Sequence, residues 1–96
     1  MTHMKNVMIL TGAGQIGMAI ARRTGYGMKI VIGDKKMENA RTISGIMNEA
    51  GFDTEALEMD LSSRKSILKL IAEAQKYGPV TKLVNAAMRS ASWRNR

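Results

Sequence analysis

The amino-acid sequence predicts an α/β fold: half of a doubly wound parallel sheet, with elements in the order β-α-β-α-β-α-β. Three observations carry this expectation. Short apolar runs of strand length recur along the chain, stretches with apolar residues at helical spacing separate them, and glycines mark most of the junctions. Strands that alternate with helices of this length are joined by right-handed crossovers and lie parallel.

The first expected strand is Asn6 to Thr11, whose unbroken Val7 to Leu10 run suits a strand buried on both faces. Ile16, Ala19 and Ile20 then fall at helical spacing, and Arg22 and Arg23 suit the negative end of that helix. Gly25 and Gly27, on either side of Tyr26, can supply its left-handed stop. Met28 to Gly33 is a second buried strand, closed by Asp34. Ala40, Ile43, Met47 and Ala50 make one helical stripe that Gly51 terminates. Gly45 inside this helix costs about 1 kcal/mol relative to alanine, and the sequence offers no reason for it. Thr54 to Met59 reads as a third strand, after which Ser62 or Ser63 caps a helix carrying Ile67, Leu70, Ile71 and Ala74. Gly78-Pro79 ends that helix, and Val80 to Ala87 contains a fourth strand centred on Leu83-Val84. Residues 1–87 are thus read as one domain and residues 88–96 as an irregular basic tail.

Composition narrows the function classes. Ninety-six residues, 45% of them hydrophobic and 24% charged, match one small soluble domain. The absence of cysteine excludes a disulfide framework, a cysteine-ligated zinc site and a thiol nucleophile. A single histidine, His3, builds neither a histidine metal cluster nor a Ser-His-Asp triad. No apolar run approaches the roughly 20 residues of a membrane span, and no secretory leader is read, so the expected location is cytoplasmic. The net charge is +7, but Arg89, Arg94 and Arg96 lie in the tail, and residues 1–88 carry twelve basic against eight acidic side chains. Four scattered aromatics (Tyr26, Phe52, Tyr77 and Trp93) form no base-stacking platform. Nucleic acid is not an expected partner, because basic composition alone supports only weak, salt-sensitive attraction.

The sharpest motif lies where the first strand meets the first helix. Gly12, Gly14 and Gly17 in Thr11-Gly12-Ala13-Gly14-Gln15-Ile16-Gly17 spell G-x-G-x-x-G in a strand–turn–helix context. Gly12 permits the tight turn, Gly14 lets a pyrophosphate approach the backbone, and Gly17 lets the helix pack close to the sheet. The helix N-terminus then offers N–H groups and partial positive charge to the phosphates. This is the Rossmann arrangement, although a glycine turn also serves ordinary connections. Asp34 ends the second strand 20 residues after Gly14, where an acid bonds the adenosine ribose 2′-hydroxyl and repels a 2′-phosphate. That favours NAD. Lys35 and Lys36 would attract such a phosphate, so NADP stays open, and a solvated Asp-Lys-Lys turn is the plainer alternative.

With these residues in place, the chain resembles the N-terminal, cofactor-binding half of the short-chain dehydrogenase/reductase family over roughly residues 6–87. The likeness rests on Thr11-Gly12 with Gly17, on Asp34, on Asp60-Leu61 after the third strand, and on Asn85-Ala86-Ala87 ending the fourth. It implies that Asp60 sits beside the adenine with the Leu61 backbone nearby. It also implies that Asn85, Ala86 and Ala87 steady the central sheet and border the cofactor, and that Gln15 and Ile16 belong to the pyrophosphate turn. Two departures stand out. The turn is one residue shorter than the family's Thr-Gly-x-x-x-Gly-x-Gly, with Gln15 where the middle glycine would align, and Met88 replaces an expected glycine.

The family's chemistry uses a Tyr-x-x-x-Lys pair and a serine, the lysine lowering the tyrosine pKa so that its phenol exchanges a proton with substrate oxygen. Tyr26 and Tyr77 are followed four residues on by Ile30 and Thr81, so neither has the lysine. Ser66 and Lys69 read as the solvated face of a helix. No catalytic or metal-ligating residue is assigned, and the 96-residue chain is expected to be inactive. The break after Ala87 points to a shifted reading frame or a shortened chain, a truncated oxidoreductase. The alternative is a stand-alone, non-catalytic dinucleotide-binding or redox-sensing module. Either way the fourth strand becomes an open sheet edge, from which self-association is expected.

Overall fold

The computed structural model describes residues 5–12, 14–60 and 62–86. Strands β1 (Val7–Thr11), β2 (Lys29–Asp34), β3 (Asp53–Glu58) and β4 (Val80–Asn85) alternate with helices α1 (Gln15–Thr24), α2 (Met37–Glu49) and α3 (Arg64–Gln75). All pairings are parallel, and the sheet order is β3-β2-β1-β4. The α/β alternation read from the sequence is the observed fold. Strand bounds move by a residue or two: β2 takes in Asp34, β3 starts at Asp53, and β4 closes at Asn85. Ala87 and residues 88–96 lie outside the described residues.

β1 is the axis of the sheet. Its five residues are all buried, because strands flank it on both sides and helices cover both faces. Side chains alternate across a strand, so its residues divide between two cores. Met8 and Leu10 join Ile30 and Ile32 beneath α1 and α2, which contribute Ala21, Ala40, Ile43 and Met47. Val7 and Ile9 join Val31 and Met59 against Leu70 and Ala74 of α3. Each fully buried Leu, Ile or Met contributes about 1.5–3 kcal/mol over its exposed state, so this double layer dominates the stability.

α1 forms where the helical spacing places it, but that spacing does not mark its buried face. Ile16 and Ala19 are exposed, and the buried residues of the helix are Gly17 and Ala21. The reason is the closeness of the approach: a Cβ on Gly17 would stand 2.9 Å from the Gly12 carbonyl oxygen and 3.3 Å from Leu10 Cδ1. Only the smallest side chains fit at the point of closest approach; Met18 and Ile20 are half-buried beside it and Ile16 is left exposed. Arg22 and Arg23 occupy the last turn, and Gly27 carries the left-handed φ of 80° that follows it.

In α2 the stripe holds at Ala40, Ile43 and Met47, while Ala50 is the exposed C-cap. Ser44, which no apolar pattern marks, is also buried. Its hydroxyl pairs with that of Thr54, and Asn48 Oδ1 accepts from the Thr54 backbone N–H at 2.9 Å. These bonds fasten α2 to β3. At the N-terminal end of the sheet, Lys29 Nζ bridges Asp53 at 3.0 Å and Glu55 at 3.4 Å. Burial disfavours charge on Lys29 and on Asp53. Their opposite charges outweigh it, raising the pKa of Lys29 and lowering that of Asp53. The contribution of Asp53 is therefore present at neutral pH and lost on acidification through the carboxylate range.

The sheet ends unevenly. β3 presents Glu55 and Glu58 to solvent, whereas β4 presents Thr81, Lys82 and Leu83. Leu83 is 68% exposed.

Gly45 has no packing reason. A Cβ there would meet nothing within 4 Å, and its φ is not positive. Gly45→Ala should therefore stabilise the chain by about 1 kcal/mol through helix propensity. A higher midpoint in thermal or urea unfolding is the expected result, and an unchanged or lower one would count against it.

Candidate functional site

The chain builds β1, β2 and β3 in one direction and then returns across the sheet to place β4 on the other side of β1. In open α/β sheets such a reversal opens a crevice outside the C-terminal ends of the strands, because the flanking connections leave in opposite directions. Here it falls between β1 and β4. The Gly12–Gly17 turn follows β1, and Asn85 ends β4 directly opposite Thr11.

Main-chain bonds extend the sheet beyond its regular ladder at this rim. Ala86 N–H donates to Thr11 O at 2.8 Å, Gly12 N–H to Gly33 O at 2.7 Å, and Met59 N–H to Asp34 O at 2.9 Å. Thr11 Oγ1 adds a side-chain bond, donating to Asn85 Oδ1 at 2.9 Å. This pairing ties the end of β4 to β1, and its partner Thr11 is 5% exposed. Ala86 lies against α1, its Cβ 3.0 Å from the position a Cβ on Gly17 would take. One rim thus assembles Gly12, Gly14, Gln15, Ile16 and Gly17 with Asn85 and Ala86. Leu61 and Ala87 lie outside the described residues.

The three glycines of the turn differ in what demands them. Gly12 has φ 94°, a left-handed conformation that a side chain disfavours. Gly17 is required by packing, as described above. Gly14 is required by neither. It is the extended N-cap of α1, with φ −139°, and a Cβ there would meet nothing within 4 Å. α1 also has no side-chain cap and no acid in its first turn. Ile16, in the first turn, is 74% exposed.

Two acids stand further along the same rim. Asp34 closes β2, and its Oδ1 accepts the Lys36 backbone N–H at 2.8 Å, which shapes the turn into α2. Asp60 follows β3. Its Oδ1 accepts the Ser62 hydroxyl at 2.7 Å and the Ser62 N–H at 2.9 Å. These donors, helped by the nearby Lys35 ammonium, hold the Asp60 carboxyl below its ordinary pKa.

The sequence left one role between two serines and did not show two others. Ser63, of the two serines proposed, is the N-cap of α3, accepting the Ser66 N–H. Ser66 does not simply face solvent, because its Oγ accepts the Asp60 N–H at 2.9 Å. The Thr11–Asn85 pair depends on the β1–β4 register. Neither β-propensity nor apolar periodicity points to these polar partners. Among the described residues, no group of three or more His, Cys, Asp or Glu side chains could hold a metal ion. Nor is any helix among them long and apolar enough to cross a membrane.

A parallel sheet with a glycine turn and two acids along its carboxyl rim defines a doubly wound, Rossmann-type unit. The sequence pattern of the short chain dehydrogenase family matches residues 5–94, and the chain belongs to that family. A short-chain dehydrogenase/reductase of Alternaria brassicicola is 31% identical over 83 residues, covering 86% of this chain and 30% of the relative. A crystal structure of an actinorhodin polyketide ketoreductase variant with NADPH superposes with TM-score 0.81 at 36% identity, covering 88% of this chain and 34% of that one. A short-chain dehydrogenase/reductase from Burkholderia phymatum in complex with NAD gives TM-score 0.74 at 27% identity, over 82% of this chain and 29% of that one. The chain spans about a third of the length of these proteins.

Proposed function

We propose that this chain binds a nicotinamide dinucleotide, NAD in preference to NADP, as the cofactor-binding part of a short-chain dehydrogenase/reductase-type oxidoreductase. One observation carries the reading. A Cβ on Gly14 would meet nothing within 4 Å and the position has no torsional need for glycine, yet it stands at the positive end of α1, which no side chain caps. Space there admits a pyrophosphate against the backbone. The solved relatives, one with NADPH and one with NAD, support a nicotinamide dinucleotide as the class of ligand.

In this reading Gly12, Gly14, Gln15, Ile16 and Gly17 hold the pyrophosphate. Asp34 accepts from the adenosine ribose, Asp60 and the Leu61 backbone flank the adenine, and Asn85, Ala86 and Ala87 border the nicotinamide side. The dinucleotide supplies hydride chemistry when bound. This chain's own part is to orient it, and Thr11 does so indirectly by fixing Asn85. Asp34→Ala should weaken NAD by roughly tenfold or more, the scale of a lost charged hydrogen bond. It should weaken NADP less, because the repulsion of a 2′-phosphate goes with it. Calorimetric titration of both cofactors checks this, and an unchanged NAD-to-NADP ratio would remove Asp34 from the site.

Binding is not turnover. These 96 residues contain no Tyr-x-x-x-Lys pair. Losing acid–base help alone costs about 10² to 10⁴ in rate, and losing substrate positioning costs more. The purified chain should therefore show no NAD(P)H turnover above buffer with alcohols, ketones or sugars. Turnover that disappears with Gly14→Val would refute this.

The partner expected besides the dinucleotide is a second copy. Among the described residues β4 has β1 as its only neighbour, and it carries the exposed Leu83 with Lys82 as its one charge. Such edges template strand pairing. Sedimentation should show dimers or larger species that dissociate on dilution, with Leu83→Lys shifting the balance to monomer. A monomer at every concentration would overturn it.

A further inference from the structure

Asp60 is held by the first turn of α3 on three sides, and Ser66 is the least expected of the holders. Its Oγ accepts the Asp60 N–H at 2.9 Å, Ser63 N–H donates to the Asp60 carbonyl at 3.0 Å, and Ser62 donates twice to the carboxylate. Ser66 is itself anchored, its own N–H donating to Ser63 Oγ at 3.2 Å. The segment before Asp60 is anchored too, since Met59 N–H donates to Asp34 O. Asp60 therefore sits between β2 and α3 with its main chain spoken for in both directions.

A backbone N–H directly after a strand has lost its ladder partner and needs another acceptor. The usual acceptor is a nearby turn carbonyl. Here it is the side chain of Ser66, half-buried in the first turn of α3. The bond ties the loop before the helix to its first turn, and the residue it secures is Asp60.

We infer that Ser66 is a positioning residue for the adenosine end of the dinucleotide, locking the Asp60 main chain so that the carboxylate stays in its Ser62 turn at the rim. It touches no ligand and acts through Asp60. The inference rests on the cofactor reading above and adds α3 to the elements that determine affinity.

The test uses the full chain, with NAD and AMP as probes and NMR as the structural readout. The Asp60 amide of the unaltered chain should exchange slowly with solvent. Ser66→Ala should weaken NAD and AMP by the same factor, about three- to tenfold for one hydrogen bond. The Asp60 carboxyl should then titrate closer to its ordinary value of 3.8, because the Ser62 donors no longer meet a fixed carboxylate. Ser66→Thr should restore all three. Equal affinities with an unmoved Asp60 titration in Ser66→Ala would overturn the role, as would a loss that threonine leaves uncorrected. If Ser66→Ala does not fold, the amide measurement decides, since rapid exchange at Asp60 in the unaltered chain removes the bond. Failure of the unaltered chain to bind either probe, with the Asp60 amide still protected, would instead overturn the cofactor reading and this role with it.

Discussion

The distance between α1 and β1 governs the site. Gly17 lets the helix axis approach until its backbone lies against the Gly12 carbonyl and the Leu10 side chain. That approach aims the N-terminus of α1 at the crevice beside β1. It also brings Ala86 against the helix and sets the turn on the same rim as Asn85. A larger residue at position 17 would push the helix outward, and interiors packed at crystal-like density do not absorb such a displacement locally. The turn, the helix dipole and the β1–β4 crevice would then no longer converge.

This constraint also explains why apolar side chains of α1 remain in solvent. A helix that packs through glycine and alanine has little room on its inner face, so Ile16 is left at the mouth of the turn. In a helix packed by ordinary ridges and grooves the same residue would be core. The exposed position is thus a by-product of close packing that places an apolar surface beside an open helix N-terminus. The rim combines that surface with polar pairs, Thr11 with Asn85 and Asp60 with Ser62, Ser63 and Ser66. Each polar pair holds a strand end or the loop after it in place.

The two ends of the sheet divide their tasks. At the N-terminal end, Lys29 ties β2 to β3 through Asp53 and Glu55, and its ammonium lies 4.4 Å from the centre of the Tyr77 ring. At the C-terminal end stand the glycine turn, the Thr11–Asn85 pair and the acids Asp34 and Asp60. Parallel strands make this separation natural, because every strand presents its carboxyl end to the same rim.

The sequence by itself determined the order of elements, the buried character of β1 and β2, the position of the glycine turn and the placement of Asp34, Asp60 and Asn85 at strand ends. These follow from local rules: apolar run length, helical spacing and the glycine that a left-handed turn requires. Only the tertiary structure decided which face of α1 is buried, that Ser44 and Thr54 meet in the core, that Thr11 clasps Asn85, and that Ser66 reaches back to Asp60. Each of these is a contact between residues on different elements, or between a helix and the loop before it. Its existence depends on strand register and interlayer distance, and the single-residue preferences of serine, threonine and isoleucine carry no information about either.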